Sequence, residues 1–318
     1  MKYLFRTQLL FFILFLINIS CKTNEKEEVT INTSPFSNKI ELKKNVVLSD
    51  EHPMAVWEKK IDNAKGVILF VHGRTWSSVP DFDLQVEGEN LSLMDGMIEE
   101  GYTTYAVDLR GYGDTPRDET EWLTPNKAAK DVLNVLKWVS EQNDNQKIHL
   151  FGWSMGSTVS LLASQQESSH IASLNLFGFW MDLDANIPED PIDKSLDKTI
   201  NTVAAAASDF IVPGTISQNA IDTYVKAALK ADPIRVDWRN MNDFKQIDPL
   251  KIEIPVLIIQ GELDPIAPTE RQTKLFTRLK TADKTWTVIS GGDHAAFMET
   301  PRPQFIKAFS AFIERFNN

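Results

Sequence analysis

The pentapeptide Gly152-Trp153-Ser154-Met155-Gly156 constrains this chain more than any other stretch. It follows a short apolar run, Lys147-Ile148-His149-Leu150-Phe151, and precedes a stretch with helical character from Ser157 to Gln165. A strand, a sharp turn with serine at its apex and a helix form the context that gives G-x-S-x-G a chemical meaning. The turn forces the serine into a strained backbone region, and side chains at the flanking glycines would collide with the neighbouring strand and helix. The hydroxyl then stands clear of the sheet, at a helix N-terminus where backbone N–H groups favour negative charge. Taken alone the motif is only suggestive. Its weight depends on whether an acid and a histidine follow it in the chain.

They follow in the order Ser, Asp, His that such a scaffold uses. The run Ile254-Pro255-Val256-Leu257-Ile258-Ile259-Gln260 reads as a buried strand and ends in Gly261-Glu262-Leu263-Asp264-Pro265. The next strand, Thr285 to Ile289, ends in Ser290-Gly291-Gly292-Asp293-His294. Both polar groups sit just past strand C-terminal ends, the edge of an open α/β sheet where ligands bind. A serine hydroxyl is a weak nucleophile at neutral pH, so a base must take its proton and later hand it to the leaving group. Among the five histidines, His149 lies inside a strand, His170 precedes one, His52 is N-terminal and His72 belongs to another motif. His294 is therefore the expected base and Ser154 the expected nucleophile. Asp264 is the expected acid, holding the imidazole tautomer. Asp182 and Asp184, which follow the strand Ser173 to Phe179, remain as alternatives, while Asp293 points elsewhere if its segment is extended.

An oxyanion hole needs two backbone N–H groups. One is expected from Met155, the residue after the nucleophile. The other is expected from Arg74, in the loop His72-Gly73-Arg74-Thr75-Trp76 that ends the strand Gly66 to Val71. The glycine lets the backbone approach a substrate closely. His72 reads as a residue that orders this loop.

These motifs resemble those of the α/β-hydrolase superfamily, in its esterase, lipase and proline-iminopeptidase-like branch. His72-Gly73 resembles the oxyanion-loop dipeptide, and Asp108-Leu109-Arg110-Gly111-Tyr112-Gly113 looks like the D-x-R-G-x-G turn. Gly152 to Gly156 matches the elbow, Gly261 to Asp264 with Pro268 the acid loop, and His294 with Glu299 and Pro301 the histidine segment. One departure is Asp293, where glycine is commoner before the histidine. The resemblance spans residues from about 40 to the C-terminus. It implies a mostly parallel eight-stranded sheet, helices on both faces, and a helical cap inserted after the sixth strand. Serine rather than aspartate at the elbow implies acyl transfer.

The remaining pattern is compatible with that fold. Lys39 to Leu48 and Met54 to Ile61 alternate as two antiparallel strands. Helices are expected at Gly88–Glu100, at Asn126–Gln142 after the capping signal Thr124-Pro125, and at Pro303–Phe316. Repeated βα units imply a parallel sheet covered on both faces. The core is expected in two parts, residues 39–179 and 251–318. Between them, residues 180–250 form a connection of about seventy residues, far beyond an ordinary loop. Helical patches are expected there at Asp197–Phe210 and Ser217–Ala231. Two readings coexist for it: a solvated insertion with its own small core, or a cap whose aromatics, Trp180, Phe210, Tyr224 and Trp238 among them, shape the pocket.

At the N-terminus, Lys2 and Arg6 precede an unbroken apolar run from Leu9 to Ile17, the layout of a secretory signal peptide over residues 1–20 and too short to span a bilayer. Cys21 is the single cysteine, so no internal disulfide forms. Its position resembles that of a bacterial lipoprotein acceptor, although Asn18 departs from the usual leucine. Lipid attachment at Cys21 would make this an exported protein held to a membrane by an N-terminal anchor. Residues 21–38 are polar and apolar-poor, as in a flexible tether. The net charge of −11 disfavours nucleic acid as a partner. No metal or phosphate motif is present, and no cofactor is expected. The expected activity is a serine hydrolase acting on a small acyl compound, foremost a carboxylic ester. Alternatives are an aminopeptidase or amidase of proline-iminopeptidase type, with Asp182, Asp184, Glu189 or Asp190 meeting a free amine, and a non-catalytic binding protein on the same fold.

Overall fold

The computed structural model describes residues 40–317. The expected signal segment, the tether and Cys21 lie outside the described residues. In chain order the strands are β1 (Lys43–Ser49), β2 (His52–Lys59), β3 (Gly66–Val71), β4 (Tyr102–Val107) and β5 (Trp122–Leu123). They continue with β6 (Ile148–Trp153), β7 (Ile171–Phe177), β8 (Asp237–Trp238), β9 (Val256–Gly261) and β10 (Lys284–Ile289). The helices are α1 (Ser78–Phe82), α2 (Leu93–Glu99), α3 (Pro125–Glu141), α4 (Met155–Gln166), α5 (Val203–Ala207), α6 (Gln218–Ala231), α7 (Thr269–Arg278) and α8 (Arg302–Ile313).

Eight strands form one sheet in the order β1-β2-β4-β3-β6-β7-β9-β10. The β1–β2 and β2–β4 pairings are antiparallel, and all the others are parallel. Central strands such as β3 (GVILFV) and β9 (VLIIQG) are buried along their whole length, as strands covered on both faces must be. Alternation splits their side chains between two cores. Val67, Leu69 and Val71 of β3 join the core that contains Val132, Val135 and Leu136 of α3 and Val159 and Leu162 of α4. Ile68 and Phe70 join the core that contains Met94 and Met97 of α2 and Phe305 and Phe309 of α8. The fold is the mostly parallel α/β sheet that the motifs implied.

Local signals explain the helix boundaries. Thr124 caps α3 by accepting from the Lys127 N–H, with Pro125 in the first turn. Ser217 caps α6 in the same way through the Ala220 N–H. Two expected helices are shorter than their apolar spacing suggested. The first begins at Leu93 because Ser92 caps it, and Gly88 sits at φ +78 in the turn before. Within Asp197–Phe210 only Val203–Ala207 is helical, capped by Thr202 and ended at Ser208.

The insertion after the sixth sheet strand, β7, carries α5, α6, β8 and two 3-10 turns, Met241–Gln246 and Pro249–Lys251. It is fastened to the core at several points. β8 pairs in parallel with β5. Asp232 accepts the Ser77 and Gly113 N–H groups, each at 2.8 Å. Trp238 donates its indole N–H to the Tyr112 hydroxyl at 2.8 Å, and Tyr224 donates its hydroxyl to Asp81 at 2.9 Å. Trp238 and Tyr224 thus anchor the insertion, and both are buried.

Candidate active site

The chain runs outward from β3 to β4 and then crosses back to β6, so the C-terminal ends of β3 and β6 flank the switch in strand order. Such a switch opens a crevice at the sheet edge. Ser154 lies in it, between β6 and α4, at φ 52° and ψ −118°. This sparsely populated conformation costs on the order of 1–3 kcal/mol in a non-glycine residue, so the surroundings must hold it. The Ser154 N–H donates to the Phe177 carbonyl at 2.9 Å, and its own carbonyl accepts from the Ser157 N–H at 3.0 Å. Only glycine fits at either side. A Cβ on Gly152 would fall on the Gly156 carbonyl, and one on Gly156 would fall on the carbonyls of Val71 and His72. A Cβ on Gly73 would come within 3.2 Å of the Ser154 Cβ, so the loop after β3 passes directly beside the serine.

Asp264 and His294, thirty residues apart, are brought together because β9 and β10 are neighbours in register. A Cβ on Gly261 would strike the Asp293 carbonyl, so the two loops are pressed against each other. His294 Nδ1 lies 2.7 Å from Asp264 Oδ2. The other carboxylate oxygen accepts the N–H groups of Ile266 at 2.8 Å and Ala267 at 3.1 Å. A carboxylate only accepts, so Nδ1 carries the proton in this pair and Nε2 is the nitrogen left for other partners. Both residues are buried. Trp153, next to the serine, donates its indole N–H to the His294 carbonyl at 2.7 Å. Gly178, at φ +62, passes so close that a Cβ there would be 2.8 Å from His294 Cε1.

Met155 opens α4, so its N–H belongs to the group at a helix start that has no intrahelical acceptor. Arg74 follows Gly73 with its side chain exposed. The loop that carries it is ordered by His72. The Leu109 N–H donates to His72 Nε2 at 3.0 Å, which fixes the proton on Nδ1, and Nδ1–H then donates to the Gly73 carbonyl at 2.8 Å. Burial pushes His72 down to about 4, in keeping with a neutral ring.

Asp182 and Asp184 are not the hydrogen-bond partners of His294. Asp182 accepts from Lys274 at 2.7 Å, and Asp184 pairs with Arg278 at 2.8 Å on the surface of α7. Asp190 pairs with Lys194 at 2.9 Å. These acids are engaged by cations outside the crevice. A carboxylate that sequence reasoning passed over, Asp209, instead reaches the site from the insertion. It interacts electrostatically with His294, its carboxyl lies 3.1 Å from the Tyr224 hydroxyl, and burial pushes it up to about 6. Gly178 and Trp153 were missed as well. The glycine after β7 was legible as punctuation, but nothing local tied it to a histidine more than a hundred residues away.

Comparison with known proteins identifies the family and the fold. Residues 62–301 match the family described as serine aminopeptidase, S33. Mouse (Mus musculus) serine hydrolase BPHL is 25% identical over 239 residues, covering 70% of this chain and 71% of that protein. Rat (Rattus norvegicus) monoglyceride lipase is 22% identical over 217 residues, covering 62% and 67%. Among solved structures, a serine hydrolase involved in carbazole degradation superposes with a TM-score of 0.61 at 18% identity, covering 86% of this chain and all of that one. E-2-(acetamidomethylene)succinate hydrolase gives 0.60 at 20% identity with the same coverage. The sheet order, the strained serine turn and a family match over most of the chain lead to one conclusion: this protein is an α/β-hydrolase-fold serine hydrolase and belongs to the serine aminopeptidase S33 family.

Proposed function

We propose that the enzyme hydrolyses a carboxylic ester through an acyl-enzyme on Ser154, with His294 as base and acid and Asp264 as the group that orients it. The observation that carries this reading is a serine held at φ 52° in the switch-point crevice, next in the chain to Trp153, whose indole N–H donates to the His294 carbonyl at 2.7 Å, together with a His294 Nδ1 held by a buried carboxylate at 2.7 Å. In the first step the Ser154 Oγ attacks the ester carbonyl carbon while its proton passes to His294 Nε2. The carbonyl oxygen gains charge, and the N–H groups of Met155 and Arg74 stabilise it there, aided by the N-terminal end of α4. The C–O bond to the leaving alcohol breaks as Nε2 returns the proton to that alcohol. Water then attacks the acyl-enzyme with the same proton traffic, releasing the acid and restoring Ser154. Asp264 stabilises the imidazolium at each tetrahedral stage without taking the proton itself.

A fluorophosphonate should label Ser154, and Ser154→Ala should abolish both labelling and ester turnover. Unchanged labelling in that variant would overturn the assignment. A panel of p-nitrophenyl esters of graded acyl length, run beside aminoacyl-naphthylamides, separates ester from amide chemistry.

A second reading has a specific observation in its favour. Asp209 brings an acidic group close enough to act on His294 electrostatically, where it would also meet a protonated amine on the acyl part of a substrate. That arrangement favours an aminoacyl ester or amide, and Asp209→Asn should then raise KM for aminoacyl esters more than for their des-amino counterparts. We also propose that residues 180–250 act as a cap that selects the acyl group. For Cys21 the proposal is lipid attachment that anchors the exported enzyme to a membrane, and its support is the apolar run that precedes it.

A further inference from the structure

The strap between α5 and α6 lies on the loop that carries His294, and the contact is made by two buried acids. Asp293 Oδ2 accepts the N–H groups of Ile211 at 2.9 Å and Val212 at 2.7 Å, while Oδ1 accepts the Ala295 N–H at 2.8 Å. Glu299 Oε1 lies 2.8 Å from the Thr215 hydroxyl. The Thr300 N–H and hydroxyl both reach the Thr215 carbonyl at 2.7 Å. Glu299 Oε2 has no N–H or O–H partner among the described residues, and the Glu299 carboxyl is within hydrogen-bonding reach of Asp293. Among the described residues no lysine or arginine forms an ion pair with either acid. The other titratable groups in the neighbourhood are Asp209, His294 and Glu89, the last lining a groove with Glu299.

Two buried carboxyls in contact cannot both be ionised without a large cost. Three N–H donors converge on Asp293, whereas Glu299 has the Asp293 backbone N–H and a Thr215 hydroxyl that it shares with the Val212 carbonyl, so the proton between the two acids belongs on Glu299. Burial, and next the Asp293 charge, push Glu299 up to about 8. A protonated Glu299 can donate to Asp293 and complete its set of hydrogen bonds.

We propose that Asp293 is a positioning residue that seats the 209–215 strap of the insertion on the His294 loop, with protonated Glu299 as the latch that keeps it seated. The position is a departure of this chain, because the resembled motif more often has glycine there. The strap is the part of the insertion that brings Asp209 within electrostatic range of His294, and on the reading of the insertion as a cap its seating governs how the acyl group is held. The inference rests on the reading of His294 as the catalytic base. The sign of the pH effect follows from the raised folded-state value. Once the strap is released and Glu299 is exposed to water, its carboxyl would lose its proton near its ordinary 4.5. The seated form therefore holds the extra proton between that value and about 8, and its stability falls as pH rises through the interval.

The test is hydrogen exchange of a peptide spanning 209–216 in the whole protein, after division by intrinsic rates, together with ester kinetics. Wild-type protection should fall by about tenfold per pH unit between about pH 6 and pH 8 and then level off. Glu299→Gln should retain protection and lose that dependence. Asp293→Gly should lose at least about tenfold in protection at every pH, with KM for a long-chain ester rising more than kcat falls. Asp293→Asn, which keeps an acceptor for the strap amides, should lie between the two. Strap protection that is independent of pH in the wild type, or unaltered in Asp293→Gly, would overturn the latch. Fluorophosphonate labelling of Ser154 is measured in parallel. If the triad reading fails, labelling fails in the wild type too, while the exchange result still reports on the latch.

Discussion

Gly178→Ala tests the placement of His294 without replacing any residue that takes part in the proposed chemistry. The added Cβ would stand 2.8 Å from Cε1 and 3.0 Å from Nδ1 of His294, with Asp264 Oδ2 at 3.6 Å. Ordinary contact begins at 3.4 Å, so the ring must retreat by about 0.6 Å, the gap between 2.8 and 3.4 Å. Nδ1 is held by Asp264 at 2.7 Å, and the ring is flanked by Trp153 at 5.6 Å between centroids, so it has little room to yield without losing its alignment. A misplacement of about 1 Å costs on the order of 10²-fold, which makes a loss of about 10- to 30-fold in kcat the expectation here. The backbone adds its own effect. At φ +62 an alanine pays about 1–2 kcal/mol, reduced by about 0.4–1 kcal/mol through the stiffer unfolded chain. Gly88→Ala is the control, because φ is +78 there and nothing lies within 4 Å of the added carbon. Both variants should lose stability in urea unfolding, Gly178→Ala the more because of its crowding against the ring, and only Gly178→Ala should lose kcat toward a short p-nitrophenyl ester. An unchanged kcat in Gly178→Ala, with the folded state intact, would refute the view that His294 works from this position.

Ser154→Gly should relieve the strain at φ 52°, raising stability by about 1 kcal/mol in chemical denaturation while abolishing turnover. His149, pushed down to about 4 by burial, stays neutral in the folded state and binds a proton once unfolded. Its contribution is complete above about 6.5 and is lost as pH falls, so wild type should lose about 2 kcal/mol more than His149→Asn between pH 6.5 and 5 in urea titrations. Cys21→Ser should release the protein from membranes or leave the precursor unprocessed, and labelled palmitate should mark only the wild type. A mature N-terminus well beyond residue 21 would reject that anchor.

How much of this is legible in the sequence differs from residue to residue. The elbow, the acid loop and the histidine segment each sit where an apolar strand ends in glycine and polar residues, and such boundaries are encoded by neighbours in the chain. Thr124-Pro125 and Ser217 are read in the same way, since a cap hydrogen bond spans three residues. Periodicity without caps misled. The spacing of Leu91, Leu93 and Met94 extended a helix back across Gly88, and the helical patch expected at Asp197–Phe210 is longer than Thr202 and Ser208 allow. Which carboxylate meets His294 was beyond local reading, because Asp182, Asp184 and Asp264 all follow strands. The pairing of β9 with β10 brings Asp264 to the ring, and the cations of α7 take the other two. The contact of Gly178 with His294, the approach of Asp209 and the grip of Asp293 on Ile211 and Val212 belong to the same class. Each joins segments about 80 to 120 residues apart, and such closures are selected by the sheet order and by burial, which no short stretch of chain contains. The sequence by itself determined which residue types stand at the strand ends; tertiary structure decided which of them touch.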